Sequence, residues 1–167
     1  MIKIKKTKLK GVLEITPSTI FKDFRGFYIE TYNEKYFYDK SIKIKFIQDD
    51  ISISKKNVLR GIHGDNNTWK LITCLHGSFY LIVVNNDKKS SQYKKWISFT
   101  LTENNYKQIL IPPKFGNGHL VLSKKAIFHY KQNTMYNRKS QFTIKWNDPE
   151  FKFEWPINKP ITSLRDK

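Results

Sequence analysis

Residues 57–74 read NVLRGIHGDNNTWKLITC and bring together side chains that could do chemistry. The chain has four histidines and four arginines, and Arg60 and His63 stand three residues apart within this stretch. A histidine can take up a proton near neutral pH, and an arginine suits a phosphate or carboxylate. In regular strand geometry Arg60 and Ile62 would face one way, Gly61 and His63 the other. Gly61 would then leave room beside His63 for a ligand or a backbone. Lys70 opens the alternating run that follows, and a lysine there is unusual if it faces inward. Taken singly, each of these residues is more simply read as a solvated strand position.

Metal chemistry gains no support from spacing. The position two after His63 is Asp65, and His76, His119 and His129 lie on separate segments, so a 2-His-1-carboxylate site stays open without a motif behind it. Cys74 sits in an apolar run and reads as a small buried hydrophobe. Tyr130 and Tyr136 could be plain core or rim residues, and Asp166 lies where a terminus usually frays. No glycine-rich phosphate loop, GxSxG or HExxH occurs.

The elements that must position these residues are short strands. VLEIT (12–16), FYIETY (27–32), FIQDDISIS (46–54), WKLITCLHG (69–77), SFYLIVVNN (78–86), KWISFTL (95–101), YKQILIPP (106–113), HLVLS (119–123) and AIFHYKQ (126–132) alternate or run apolar. Turn signals separate them, including Gly77-Ser78, Asn85-Asn86-Asp87 and Gly116-Asn117-Gly118. Only 34–42 reads as a short helix, and FEWPINKPI (153–161) is too proline-rich for a central strand and should wrap the surface. The pattern predicts an all-β fold, a sandwich or barrel, as one domain over 1–167.

The formal net charge is +17, yet only four of the 31 basic residues are arginine and the rest are lysines scattered along the chain. Base reading favours arginine, so no nucleic-acid partner is expected, although a small anion would still be attracted. No apolar run approaches membrane-spanning length, and one cysteine fits a reducing compartment; a soluble cytoplasmic protein is expected.

Taken together, the motifs resemble a known family. Phe24-Arg25-Gly26-Phe27 with Glu30, Phe46-Ile47-Gln48-Asp49-Asp50 with Ser52, and Asn57 through His63 look like the dTDP-4-dehydrorhamnose 3,5-epimerases, antiparallel cupin (jelly-roll) barrels with short peripheral helices. The order continues through Lys70-Leu71, Gly77, Trp96, Glu103-Asn104, Ile111-Pro112, Tyr130-Lys131, Tyr136, Trp146-Asn147-Asp148, Trp155-Pro156 and Ser163-Leu164-Arg165-Asp166. The resemblance implies cofactor-free epimerisation of a nucleotide-linked 4-keto sugar, with no metal, by a homodimer. It makes His63 the base and Asp166 its dyad partner. Lys70 would stabilise the enolate oxygen and Tyr130 would donate a proton on the opposite ring face. Arg25, Glu30, Gln48 and Arg60 match nucleotide and diphosphate contacts, and Tyr136 an aromatic at the cleft.

This sequence departs from the family pattern at Gly64-Asp65, where an aromatic and a glutamine are usual, and at Leu81, where an aspartate is usual. AHGF becomes Gly116-Asn117-Gly118-His119, and QDN becomes Gln48-Asp49-Asp50. RGIHGD, the WKLITC run and PP..GN.H resemble the branch acting on GDP-4-keto-heptoses in capsule biosynthesis. On that resemblance Gly64, Asn117 and His119 are expected at the substrate, with Gly64 leaving room for a longer exocyclic chain. Alternatives are the dTDP-rhamnose enzyme proper, a nucleotide 4-keto-sugar 3,4-ketoisomerase that could dispense with Tyr130, and a non-catalytic barrel binding nucleotide sugar.

Overall fold

The computed structural model describes residues 2–166. In chain order the elements are β1 (Lys3–Lys6), β2 (Leu13–Thr16), β3 (Ile20–Asp23), β4 (Gly26–Ile29), α1 (Glu34–Tyr38), β5 (Gln48–Lys55), β6 (Leu59–Gly64), β7 (Lys70–His76), β8 (Ser78–Asn85), β9 (Trp96–Thr102), β10 (Gln108–Ile111), β11 (Phe115–Val121), β12 (Lys125–Gln132) and β13 (Phe142–Thr143). Single 3₁₀ turns cover Arg138–Ser140 and Leu164–Asp166. One antiparallel sheet has the order β1-β2-β10-β7-β12-β5, a second β13-β6-β11-β8-β9, and β3–β4 is a separate hairpin. This is the expected all-β cupin architecture. No helix of the described residues is long and apolar enough to cross a membrane.

Alternation explains most of the packing. The inward residues of β8 (Phe79, Leu81, Val83) meet Ile72, Cys74, Ile109, Ile111, Ala126 and Phe128 from the facing sheet. Each fully buried Leu, Ile or Phe among them contributes ~2 kcal/mol by leaving water. Cys74 belongs to this core, and burial pushes its thiol up to about 12. The sharp β7–β8 reversal turns on Gly77 at φ +72, a left-handed backbone that favours glycine. The outer face of the second sheet carries Ile62, Ile82 and Val84 and is covered by Ile144 and Phe151. The proline-rich tail does wrap this surface, held by Trp96 Nε1 donating to the Phe151 carbonyl (3.0 Å) and Trp155 Nε1 to that of Trp146 (2.8 Å).

One expectation about local structure is corrected. Gly116-Asn117-Gly118 is not a turn but the middle of β11. Its glycines are there for space: a Cβ on Gly116 would stand 2.7 Å from Ile62, and one on Gly118 2.9 Å from the same side chain.

Candidate active site

A β-bulge orients the RGIH residues. On β11 Asn117 and His119 are two apart, while their partners on β6, His63 and Arg60, are three apart. The extra residue breaks simple alternation, so Arg60 and His63 both line the interior cleft while Ile62 turns to the outer core. Regular alternation would have put Arg60 and His63 on opposite faces. Gly61 sits within the bulge at φ +109, and a Cβ there would lie 2.6 Å from both the Asn117 carbonyl oxygen and Gly118 Cα. The room beside His63 is therefore taken by backbone.

The cleft has a volume of about 680 Å³. His63 Nε2 lies 2.7 Å from Asp166 Oδ1. Since an ionised carboxylate only accepts, Nε2 carries the proton and Nδ1 is left as the basic nitrogen. Asp166 is buried rather than frayed. The tail is tied to β6 by Leu59 N donating to the Ile161 carbonyl (2.9 Å) and Ile161 N to that of Asn57 (2.8 Å), and the 3₁₀ turn then delivers Asp166 inward. Burial on its own would raise the Asp166 carboxyl. The His63 hydrogen bond and charge, the Ser163 hydroxyl at 2.9 Å and the Gly61 amide outweigh it and hold the carboxyl below its ordinary range.

Lys70 does face inward, with 8% of its surface exposed. Burial pulls its ammonium down to about 8 against a smaller upward pull from Asp65. Its Nζ donates to Asn117 Oδ1 (3.3 Å) and stands 5.9 Å from the centre of the Tyr130 ring. Burial, followed by the charge and hydrogen bond of Asp50, raises the Tyr130 phenol, which therefore stays protonated. His119 is buried and stacked on Phe128, and burial with the Arg60 charge lowers it to about 3, so it is neutral. Tyr136 lies at the rim, its backbone N–H donating to Gln48 Oε1 (2.7 Å), and Gln48 Nε2 in turn donates to Asp50 (2.9 Å).

Of the expected residues, His63, Asp166, Lys70, Tyr130, Arg60, Asn117, His119 and Tyr136 line one cleft. Gln48 stands behind the rim. Gly64 is not in the cleft: its Cβ direction runs into the Phe115 carbonyl and stops 2.5 Å from the Phe142 ring. The neighbouring Asp65 caps a turn, accepting from Asn67 N (2.8 Å) and Thr68 N (2.7 Å). A bulkier residue at 64 would therefore crowd the outer core, and its loss adds no room for substrate. Arg25 and Glu30 also lie outside this chain's cleft. Arg25 is at the β3–β4 tip, paired with Asp23 at 2.6 Å.

Sequence reasoning missed Arg138 and Arg165 as cleft residues. The signal was available: in a chain whose cations are nearly all lysine, three of the four arginines converge on one cleft. Among the described residues no three His, Cys, Asp or Glu side chains gather as metal ligands. His76 pairs instead with Glu103 (2.9 Å), and His129 lies 3.6 Å from Asp49.

The family model for dTDP-4-dehydrorhamnose 3,5-epimerase matches residues 6–167. The enzyme of that name from Salmonella typhimurium is 37% identical, covering 99% of this chain and 93% of its own length. That from Shigella flexneri is 36% identical, covering 96% and 91%. Among solved structures, a dTDP-6-deoxy-D-glucose 3,5-epimerase from Legionella pneumophila in complex with dTDP-4-keto-L-rhamnose superposes with a TM-score of 0.93 at 32% identity, covering 99% of this chain and 90% of that one. The Bacillus anthracis enzyme with TDP and pyrophosphate bound gives 0.94 at 31% identity, covering 99% and 97%. With sequence and fold in agreement over nearly the whole chain, it belongs to the dTDP-4-dehydrorhamnose 3,5-epimerase family, and its activity is that of a nucleotide-sugar epimerase.

Proposed function

We propose that the chain inverts C3 and C5 of a nucleotide-linked 4-keto sugar through an enolate. The observation that carries this reading is the His63–Asp166 dyad at 2.7 Å, opening on the same cleft as Lys70 and Tyr130. The C4 ketone acidifies the protons on C3 and C5, and His63 Nδ1 removes one as general base. The electron pair moves to the ketone oxygen, where the Lys70 ammonium stabilises it in a dry setting. Tyr130 returns a proton to the other face of the carbon. A phenol, even one raised by burial, is a far stronger acid than the C–H bond it forms. His63 then loses its proton, and the Tyr130 phenolate regains one, through solvent. Arg60, Arg138 and Arg165 supply the fork-shaped donors that a diphosphate needs.

The names of the relatives support a dTDP-linked 6-deoxy sugar as the substrate. A GDP-linked 4-keto-heptose is the second reading, favoured by one observation. Two departures from the family pattern, Leu81 and His119, are direct partners across β8 and β11, so a core position and the cleft position beside it differ together. Incubation in deuterated water with dTDP-4-keto-6-deoxyglucose, and separately with a GDP-4-keto-heptose, tests both. Label at C3 and C5 is expected from the preferred sugar. A product with its ketone moved to C3 would point to the ketoisomerase, and no label from either sugar would sink the epimerase reading.

A homodimer belongs to the same proposal. The β3–β4 hairpin exposes Phe21, Phe24, Phe27 and Tyr28, and the outer edge of β5 exposes Ile51 and Ile53. A second copy seated there would cover these side chains and could carry Arg25 and Glu30 toward a neighbouring cleft. Sedimentation of the wild type against Phe24→Lys checks it; a wild-type monomer would refute it.

A further inference from the structure

A second cavity, of about 710 Å³, lies behind the catalytic cleft. The two stand back to back across the start of β7, where Lys70 lines the cleft and its neighbour Trp69 lines this cavity. Its walls are hydrocarbon. Leu9, Val12, Ile42 and Leu110 are buried there, and Leu13 and Ile44 are half-buried. Its rim is cationic. Lys6, Lys8, Lys10 and Lys43 stand around it, all exposed, and no carboxylate among the described residues lines it. Glu14, the one acid of β2, is taken by Lys107 at 3.2 Å. Residues 3–10 and 40–45, which run on from the rim, hold eight lysines and no acid. The opening is preformed. The Thr7 hydroxyl donates to the Leu9 and Val12 carbonyls (both 3.0 Å), and the Gln92 side chain ties Lys8 O and Lys10 N (both 2.8 Å).

We propose that this face docks on an anionic lipid membrane, with the acyl chain of one lipid in the cavity and the surrounding phosphates on the lysine rim. Crowded like charges oppose the compact state until an anion neutralises them, and an open apolar concavity of this size is a ligand site. The occupant must therefore be hydrocarbon in its body and negative at its head. A nucleotide or nucleic acid would bury the polar edges of its bases against Leu and Ile without hydrogen-bond partners. A second copy of this chain would set lysine against lysine. A lipid acyl chain carries no polar group into the cavity, and its phosphate stays among the ammonium groups at the surface. Trp69 suits that boundary, since an indole tolerates both hydrocarbon and water. The sheet order places the cavity toward the β1 edge, away from the β5 edge offered to a second copy, so one molecule has room for both contacts.

Flotation of the full chain with vesicles tests the docking. Vesicles of phosphatidylglycerol and phosphatidylcholine should carry the protein, and phosphatidylcholine alone should not. Lys8→Glu combined with Lys43→Glu should lower vesicle affinity about 25-fold or more, at about fivefold per lysine at an anionic surface, in a protein that melts like the wild type because both positions are exposed. Phosphatidylglycerol brominated along its acyl chain should quench tryptophan fluorescence of the wild type and not of Trp69→Phe. Equal flotation on neutral vesicles, an affinity untouched by the lysine changes, or the same quenching with and without Trp69 would overturn the proposal. Binding of decanoate or of RNA with no binding to vesicles would also overturn it, and would give the face to a free fatty acid or to a polyanion instead.

Discussion

Replacing Lys70 with methionine separates what the residue does for chemistry from what it costs the fold. The ammonium is buried, and burial lowers it from 10.5 to about 8. At 1.36 kcal/mol per tenfold change in proton affinity, holding Lys70 charged in the folded state costs about 3 kcal/mol. The sign follows from proton binding. Below pH 8 both folded and unfolded chains carry the proton, and the fold bears the full cost. Between pH 8 and 10.5 the unfolded chain binds the proton more tightly, so stability rises with pH. Above 10.5 the cost is gone. Lys70→Met, of similar volume, should therefore be more stable than the wild type at pH 7, by up to about 3 kcal/mol less ~1 kcal/mol for the Asn117 amide left without its donor. The gap should close as pH approaches 10.5. The same variant should lose about 10²–10³ in kcat, because the developing enolate has no cation beside it. Urea unfolding at pH 7, 8.5 and 10 reads the first effect and solvent exchange the second. A variant less stable than the wild type at pH 7, or a gap independent of pH, would refute the reasoning.

Three further outcomes follow from the same geometry. Tyr130→Phe should keep deuterium exchange on the His63 face while losing inverted product, read by NMR of the sugar; equal loss of both would merge the two roles. Asp166→Asn should lower kcat by about 10²–10⁴ by permitting the wrong His63 tautomer. Because the Asp166 carboxyl is lowered in the fold, its stabilising effect is present above the ordinary carboxylate range and is lost as pH falls through its folded value, so urea melts of variant and wild type should converge in strong acid. Gly61→Ala must place a Cβ 2.6 Å from the Asn117 carbonyl oxygen at φ +109, and should cost about 2 kcal/mol or more, read as a fall of roughly 5 °C in Tm.

The strands were legible from their apolar patterns: β12 alternates because one face enters the core, β8 is a continuous apolar run because both its faces are covered, and both are found almost to the residue. The site was legible only in part. His63 and Lys70 announced themselves by type, but their facing depended on a bulge that no local pattern encodes. Gly116-Asn117-Gly118 read as a turn because glycine is favoured both in turns and wherever side chains press closely on a strand; the pressing residue, Ile62, lies 54 positions before Gly116 in the chain. Gly64 misled in the complementary way. A missing side chain frees space, and only the third dimension says on which side of the sheet. Asp166 was visible as a motif letter, while its burial depends on long-range bonds from the tail to β6.

Those bonds bear on how activity appears during folding. The dyad joins residues 103 positions apart. Closing a flexible loop of that length costs about 4 kcal/mol of chain entropy beyond a constant term. The β8–β9 pairing, which contributes Phe79, Leu81 and Leu101 to the core, needs only local contacts. The proton-abstracting pair should thus assemble after much of the barrel, and a refolding chain should pass through a stage with its core formed and its base unaligned.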